Sequence, residues 1–179
     1  MHDPLEVLAF WWDAGPEKWF GGGEAIDAKC EEHCGEAFKA AEAGQLDDWE
    51  AVPHSALALI LLLDQMPRNM FRDTPRMFAT DDKALALADR AIAKRFHLAY
   101  ALPARRFIYM PFMHAEDIDA QTRCVDLCRA DGDDEGHRYA LIHMDAIRRF
   151  GRFPHRNEIL GRKTTAEEAA YMRTGGFGG

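Results

Sequence analysis

Eight consecutive residues, Ala56-Leu57-Ala58-Leu59-Ile60-Leu61-Leu62-Leu63, carry no charge and no polar side chain. A helix made from them is apolar on every face, so it has no side to turn to water and belongs at the centre of a helical protein. The run is far shorter than the roughly 20 residues that cross a bilayer, which makes it a core segment. Pro53, just before it, suits the first turn of a helix. The residues that leave the run have the opposite character: Asp64-Gln65-Met66-Pro67-Arg68-Asn69-Met70-Phe71-Arg72. On a continuous helix Asp64, Arg68 and Arg72 share one face, with Gln65 and Asn69 beside them. Pro67 removes a backbone donor there and leaves carbonyls in need of other partners.

The rest of the chain reads as helices around that centre. Asp3-Pro4-Leu5-Glu6 gives a cap, a first-turn proline and an early acid, predicting a helix to about Asp13. A loop with Gly15-Pro16 and Gly21-Gly22-Gly23 follows. Glu24 to Ala43 is helical in composition and ends at Gly44. Asp73-Thr74-Pro75 is a break, after which Thr80-Asp81-Asp82 is expected to cap a helix with Leu85, Ala88, Ile92 and Phe96 at core spacing. Pro103 is expected to open a helix to about His114. Asp117 to Ala130 is amphipathic, Asp131 to Asp134 an acidic turn, and Glu135 to Phe150 helical. Gly151 to Lys163 is irregular, and Thr165-Ala166-Glu167-Glu168 is a capping box for a last short helix. No segment alternates with a period of two as a half-buried strand does. The expectation is an all-α fold of seven or eight helices, one domain over residues 1–174, with 175–179 a flexible tail.

The formal net charge is −8, unevenly spread: residues 1–50 hold 13 acids and 3 bases, residues 51–179 hold 17 acids and 19 bases. An acidic chain is poorly suited to collecting phosphates, so no nucleic-acid partner is expected. No apolar run is long enough for a membrane, and nothing near the N-terminus resembles an export signal, so a cytoplasmic location is expected. Sixteen of the 22 bases are arginine, a bias toward planar, two-point contacts with carboxylate or phosphate. The cysteines form two i,i+4 pairs, Cys30/Cys34 and Cys124/Cys128. Both pairs lie on apolar stripes and read as core, since structural zinc sites favour Cys-x-x-Cys turns. Trp11, Trp12, Trp19 and Phe20 read as an aromatic cap on the core.

Two further segments mix polar and apolar residues in a way amphipathicity does not explain. One is Tyr109 to Asp117, where His114 and Glu116 follow a proline-interrupted aromatic stretch. The other is His143 to Asn157, where Asp145 can pair with Arg148 or Arg149 one turn on, and Arg152, His155 and Arg156 occupy a loop shaped by Gly151 and Pro154. Across FWW, LLLDQMPRNMFR, FATDDKALALA, YMPFMHAED and RFGRFPHRNEILGRKTTAEE, nearly the whole chain resembles the bacterial helical family catalogued as domain of unknown function 924. Met66 and Met113 depart from the expected pattern. The resemblance implies an all-α fold related to tetratricopeptide-type helical repeats; it implies no reaction or ligand.

Read as chemistry, the three polar segments are expected to line one concave surface that binds a small anionic molecule or an acidic peptide end. Arg68, Arg72, Arg149, Arg152 and Arg156 supply positive charge, and Gln65, Asn69, His155 and Asn157 supply directed hydrogen bonds. The alternative is a hydrolase or lyase, with His114 or His143 as base, Glu116 or Asp64 as its orienting carboxylate, and arginines stabilising negative charge. A third reading is an interaction scaffold whose polar cluster is paired internally and purely structural. No HExxH, Walker or G-x-S-x-G pattern occurs, so no metal or cofactor is assigned.

Overall fold

The computed structural model describes residues 2–19 and 23–178, with the side chain of Glu24 left out. Phe20 and the glycines 21 and 22, read above as aromatic cap and loop, lie outside the described residues. Among the described residues there is no strand, and nine α-helices are joined by short turns. They fall into two compact units, Met1–Ile108 and Tyr109–Gly179.

The first unit holds α1 (Pro4–Ala14), α2 (Pro16–Trp19), α3 (Glu24–Glu42), α4 (Pro53–Met70) and α5 (Asp81–Ala93). Every residue from Ala56 to Met66 is buried, and α4 packs against α1, α3 and α5, as an all-round apolar helix requires. Asp3 caps α1, accepting from the Leu5 amide at 2.9 Å. The one-turn helix α2 falls in a stretch expected to be loop. It places Trp19 over Trp11, with ring centroids 6.2 Å apart, and edge-on to Phe107 at 5.1 Å; with Trp12 at 5.6 Å from Phe107, three members of the expected aromatic cap pack together with Phe107.

Pro67 lies inside α4 and leaves the Leu63 carbonyl without its helical donor. The Thr80 hydroxyl supplies one instead, at 2.6 Å. That geometry corrects the expected cap: Thr80 makes no side-chain cap on α5, because its hydroxyl is directed at the open carbonyl of α4. Asp81, next in sequence, turns to Arg68.

The helix α6 (Arg106–His114) starts three residues after Pro103, because Pro103 is held in a turn closed by the Arg106 amide on its carbonyl at 3.0 Å. The second unit contains α7 (Ile118–Ala130), α8 (Asp134–Phe150) and α9 (Ala166–Arg173). Asp117 caps α7 through the Ala120 amide at 2.8 Å, and α7 packs against α8. Gly151, with φ 67°, ends α8 in the left-handed conformation that glycine adopts without strain. The predicted capping box is formed: Thr165 accepts from the Glu168 amide at 3.2 Å and Glu168 from the Thr165 amide at 2.8 Å. All four cysteines are buried free thiols, and burial pushes Cys30 and Cys34 up to about 12, consistent with core packing. No helix among the described residues is long and apolar enough to cross a membrane.

Candidate functional site

On α4 the expected ligand residues face carboxylates of the same unit. Arg68 makes a two-point contact with Asp81 at 2.9 and 3.1 Å and lies 3.4 Å from Asp64. Asp64 is fully buried and accepts from Gln65 at 2.6 Å. Burial opposes the charge on Arg68, but Asp64 and Asp81 outweigh it and hold the guanidinium above its ordinary value. Arg72 grips Asp27 with two bonds of 2.8 Å, and Asn69 donates to the Gln65 carbonyl at 3.1 Å. These side chains knit α4 to α3 and α5.

A second network occupies the loop after α8. Glu116 receives Arg162 at 2.6 and 2.9 Å and the Phe153 amide at 2.7 Å. Burial alone would raise the Glu116 carboxyl; Arg162 and the amide prevail and hold it below its usual range. Arg162 also donates to Asn157 at 3.0 Å, Asn157 donates to Glu168 at 3.2 Å, and Glu168 receives Arg152 at 2.6 and 3.0 Å. With Arg152 as first cause, Glu168 is held down at about 2. Arg149 is exposed on α8 and pairs with Asp145, one turn earlier, at 3.0 Å.

The remaining candidates form a different kind of group. His143, buried on α8, lies with its ring centroid 6.3 Å from that of His114 and 5.8 Å from Phe153. His155 is 5.5 Å from Phe153. Phe177, from the chain end, packs on His143 at 3.9 Å and edge-on to His155 at 4.9 Å. The Arg156 guanidinium covers the Phe153 ring at 4.7 Å and donates to the His114 carbonyl at 2.9 Å.

Two imidazoles of this group, His143 and His155, are held neutral. His143 Nδ1 faces the Tyr139 carbonyl at 2.8 Å; a carbonyl only accepts, so Nδ1 carries the proton and Nε2 the lone pair. Burial first, then the nearby His114, pushes His143 down to about 3. Burial and the adjacent Arg156 bring His155 to about 4. The His155 Nδ1 is buried and makes no hydrogen bond. Two grooves open on the surface of this unit, of about 470 Å³ along α7 and about 420 Å³ beside Tyr171 and Phe177, and no histidine lines either. Among the described residues no group of three or more His, Cys, Asp or Glu is arranged to hold a metal ion.

Helical architecture, the DQMPRN segment and the stretch from Arg149 to Glu168 all fall within the match to a family model described as a bacterial protein of unknown function (DUF924), over residues 7–176. The chain belongs to this family. Among solved structures it is similar to a protein of unknown function from Agrobacterium tumefaciens, at 45% identity and a TM-score of 0.92, covering 96% of this chain and 97% of that one. No curated protein matches the chain.

Sequence reasoning missed Arg162, which joins Glu116 to Asn157, and Phe177, which packs on two imidazoles. Glu168 was legible only as a helix cap; its second task, receiving Arg152, uses the same carboxylate. A signal for Arg162 was present in the count of five arginines against one acid between Arg148 and Arg162, which demands acids from elsewhere in the chain.

Proposed function

We propose that this DUF924 protein binds a small anionic ligand in its second unit, at the group formed by His114, His143, His155 and Arg156. His155 carries the reading. A buried nitrogen that makes no hydrogen bond costs about 1–3 kcal/mol, and a ligand oxygen set against Nδ1 removes that penalty. Arg156 and Arg162 both lower the His155 pKa, with Glu116 opposing them, so the local field favours a negative oxygen. Arg68, Arg72 and Arg152 are left out of the proposed site because each is engaged by a carboxylate in two-point geometry. Arg149 is left out because it is exposed and paired with Asp145.

A bound anion favours the imidazolium, so ligand binding takes up a proton. Affinity then rises as pH falls from about 8 toward about 4, the value of His155 in the ligand-free chain. Sulfate is a suitable probe because its own charge is constant over that range. Calorimetric titration at several pH values is expected to give tightening of about tenfold, with proton uptake and a matching downfield movement of the imidazole proton resonances. His155→Gln should abolish the pH dependence. Binding that ignores pH, or that survives unchanged in His155→Gln, rules the reading out.

The hydrolase or lyase reading draws support from one observation, the fixed tautomer of His143, which leaves a basic lone pair on Nε2. Two features weigh against it. A group held near 3 is a weak base at neutral pH, and Glu116 is engaged by Arg162 and the Phe153 amide.

A further inference from the structure

The chain end is seated with more care than a trailing segment needs. The Gly176 amide donates to the Tyr171 carbonyl at 3.0 Å, and the Phe177 amide donates to the Tyr171 hydroxyl at 3.1 Å. Gly176 runs so close over Tyr171 that a Cβ placed on it would lie 2.5 Å from the ring; only glycine permits that approach. Gly175, with φ 86°, supplies the turn that brings the segment back from α9. Tyr171 is itself fixed edge-on to Phe150 at 5.1 Å. The product of these contacts is one placement: the Phe177 ring against His143, His155 and, at 5.8 Å, Phe153.

We propose that residues 175–178 form an intramolecular strap whose Phe177 ring occupies the place of the ring of an aromatic carboxylate, the ligand class of the anion site. The inference rests on the anion-binding reading above and adds to it the ligand's apolar part and an intramolecular competitor. An aromatic ring in that place lies tilted against His143 and meets His155 and Phe153 in the T-shaped arrangement that aromatic pairs favour. Its carboxylate then lies within the group that holds His155 Nδ1 and the Arg156 guanidinium, which binds carboxylates well. The strap's remaining hold is the packing of Phe177 on the cluster of Ala146, Ile147 and Phe153. Its exposed glycines at 175 and 178 flank Phe177, so it can swing out while α9 stays docked. A covering group that must leave before the ligand enters lowers apparent affinity by the fraction of time it is seated.

The test compares benzoate with acetate, both ionised at about pH 6, on the full chain, on Phe177→Ala, and on Gly176→Ala, which keeps the ring but clashes with Tyr171. Dissociation constants come from imidazole shifts in a proton–nitrogen spectrum, and circular dichroism checks that each variant is folded. Benzoate is expected to bind about tenfold tighter to both variants than to the wild-type chain, and acetate to gain much less. Equal benzoate affinity in all three proteins overturns the strap. Acetate binding as tightly as benzoate to Phe177→Ala overturns the aromatic class while leaving the anion site standing. Absence of binding by either acid to the folded variants removes the anion site and the strap with it.

Discussion

The carboxyl end of α4 and the loop after α8 are both rich in arginine, yet they treat it differently. On α4 each arginine finds a carboxylate on a neighbouring helix: Arg68 takes Asp81 and Arg72 takes Asp27. After α8 the arginines divide. Arg152 and Arg162 bind Glu168 and Glu116; Arg156, four residues on from Arg152, lies on the Phe153 ring and donates to the His114 carbonyl. Pairing opposite charges binds elements together but leaves little field for a ligand. Among the residues after α8, His155 is held neutral beside Arg156, as is His143 on α8 itself, and their ring nitrogen atoms are able to change protonation. The difference separates a brace from a candidate site, and it is a difference in neighbours rather than in residue type.

The comparison is tested most severely on the brace. Arg68→Ala removes the cation beside the fully buried Asp64 and leaves Asp81 without its two bonds. Taking one partner from a buried ion pair costs about 3–5 kcal/mol. Urea unfolding of the first unit should show a loss of that order. A loss under about 1 kcal/mol would mean that Arg68 is held available and not structural, and would return it to the list of ligand residues.

A smaller effect sharpens the other side. His143 is near 3 in the folded chain against about 6.5 when unfolded. The unfolded state therefore binds the proton first. Stability is full above pH 6.5 and falls as pH drops from there toward about 3, at up to about 1.4 kcal/mol per pH unit for one group. The groups facing His143 that share this field are His114, His155 and Arg156. His143→Gln should flatten part of the slope of unfolding free energy between pH 6.5 and 4.5. An unchanged slope would show that the ring is solvated and ordinary.

How much of this was legible in the sequence follows the range of each interaction. The eight-residue apolar run placed α4 at the centre because burial is decided by one helix's own faces. The Thr165–Glu168 capping box was readable because both partners lie within one turn, and so was the Asp145–Arg149 pair. The partners of Arg68, Arg72, Arg152 and Arg162 were not readable. They are 13, 45, 16 and 46 residues away, and any of several acids satisfies the same chemistry. Phe177 was missed for a different reason: a tail of four glycines around one aromatic has no periodicity to read. Thr80 was misread because a threonine before two aspartates has the form of a cap. The stronger demand on its hydroxyl came from a carbonyl seventeen residues earlier.

That last contact gives the smallest effect and the sharpest control. Pro67 withholds a donor from the Leu63 carbonyl, and Thr80 provides one across 2.6 Å in a buried place. Thr80→Val keeps the shape and removes the hydroxyl, so the carbonyl stays buried and unsatisfied at a cost of about 1–2 kcal/mol. Pro67→Ala restores an amide at the position that normally serves Leu63. In that background Thr80→Val should cost less than half as much, because the helix now satisfies its own carbonyl. The double-mutant cycle cancels the volume lost with the proline ring. Equal costs in the two backgrounds would show that the hydroxyl stabilises α5 and not the broken turn of α4. The proline would then be a bend without a brace, and the assignment of this helix end to structure would rest on Arg68 and Arg72 alone.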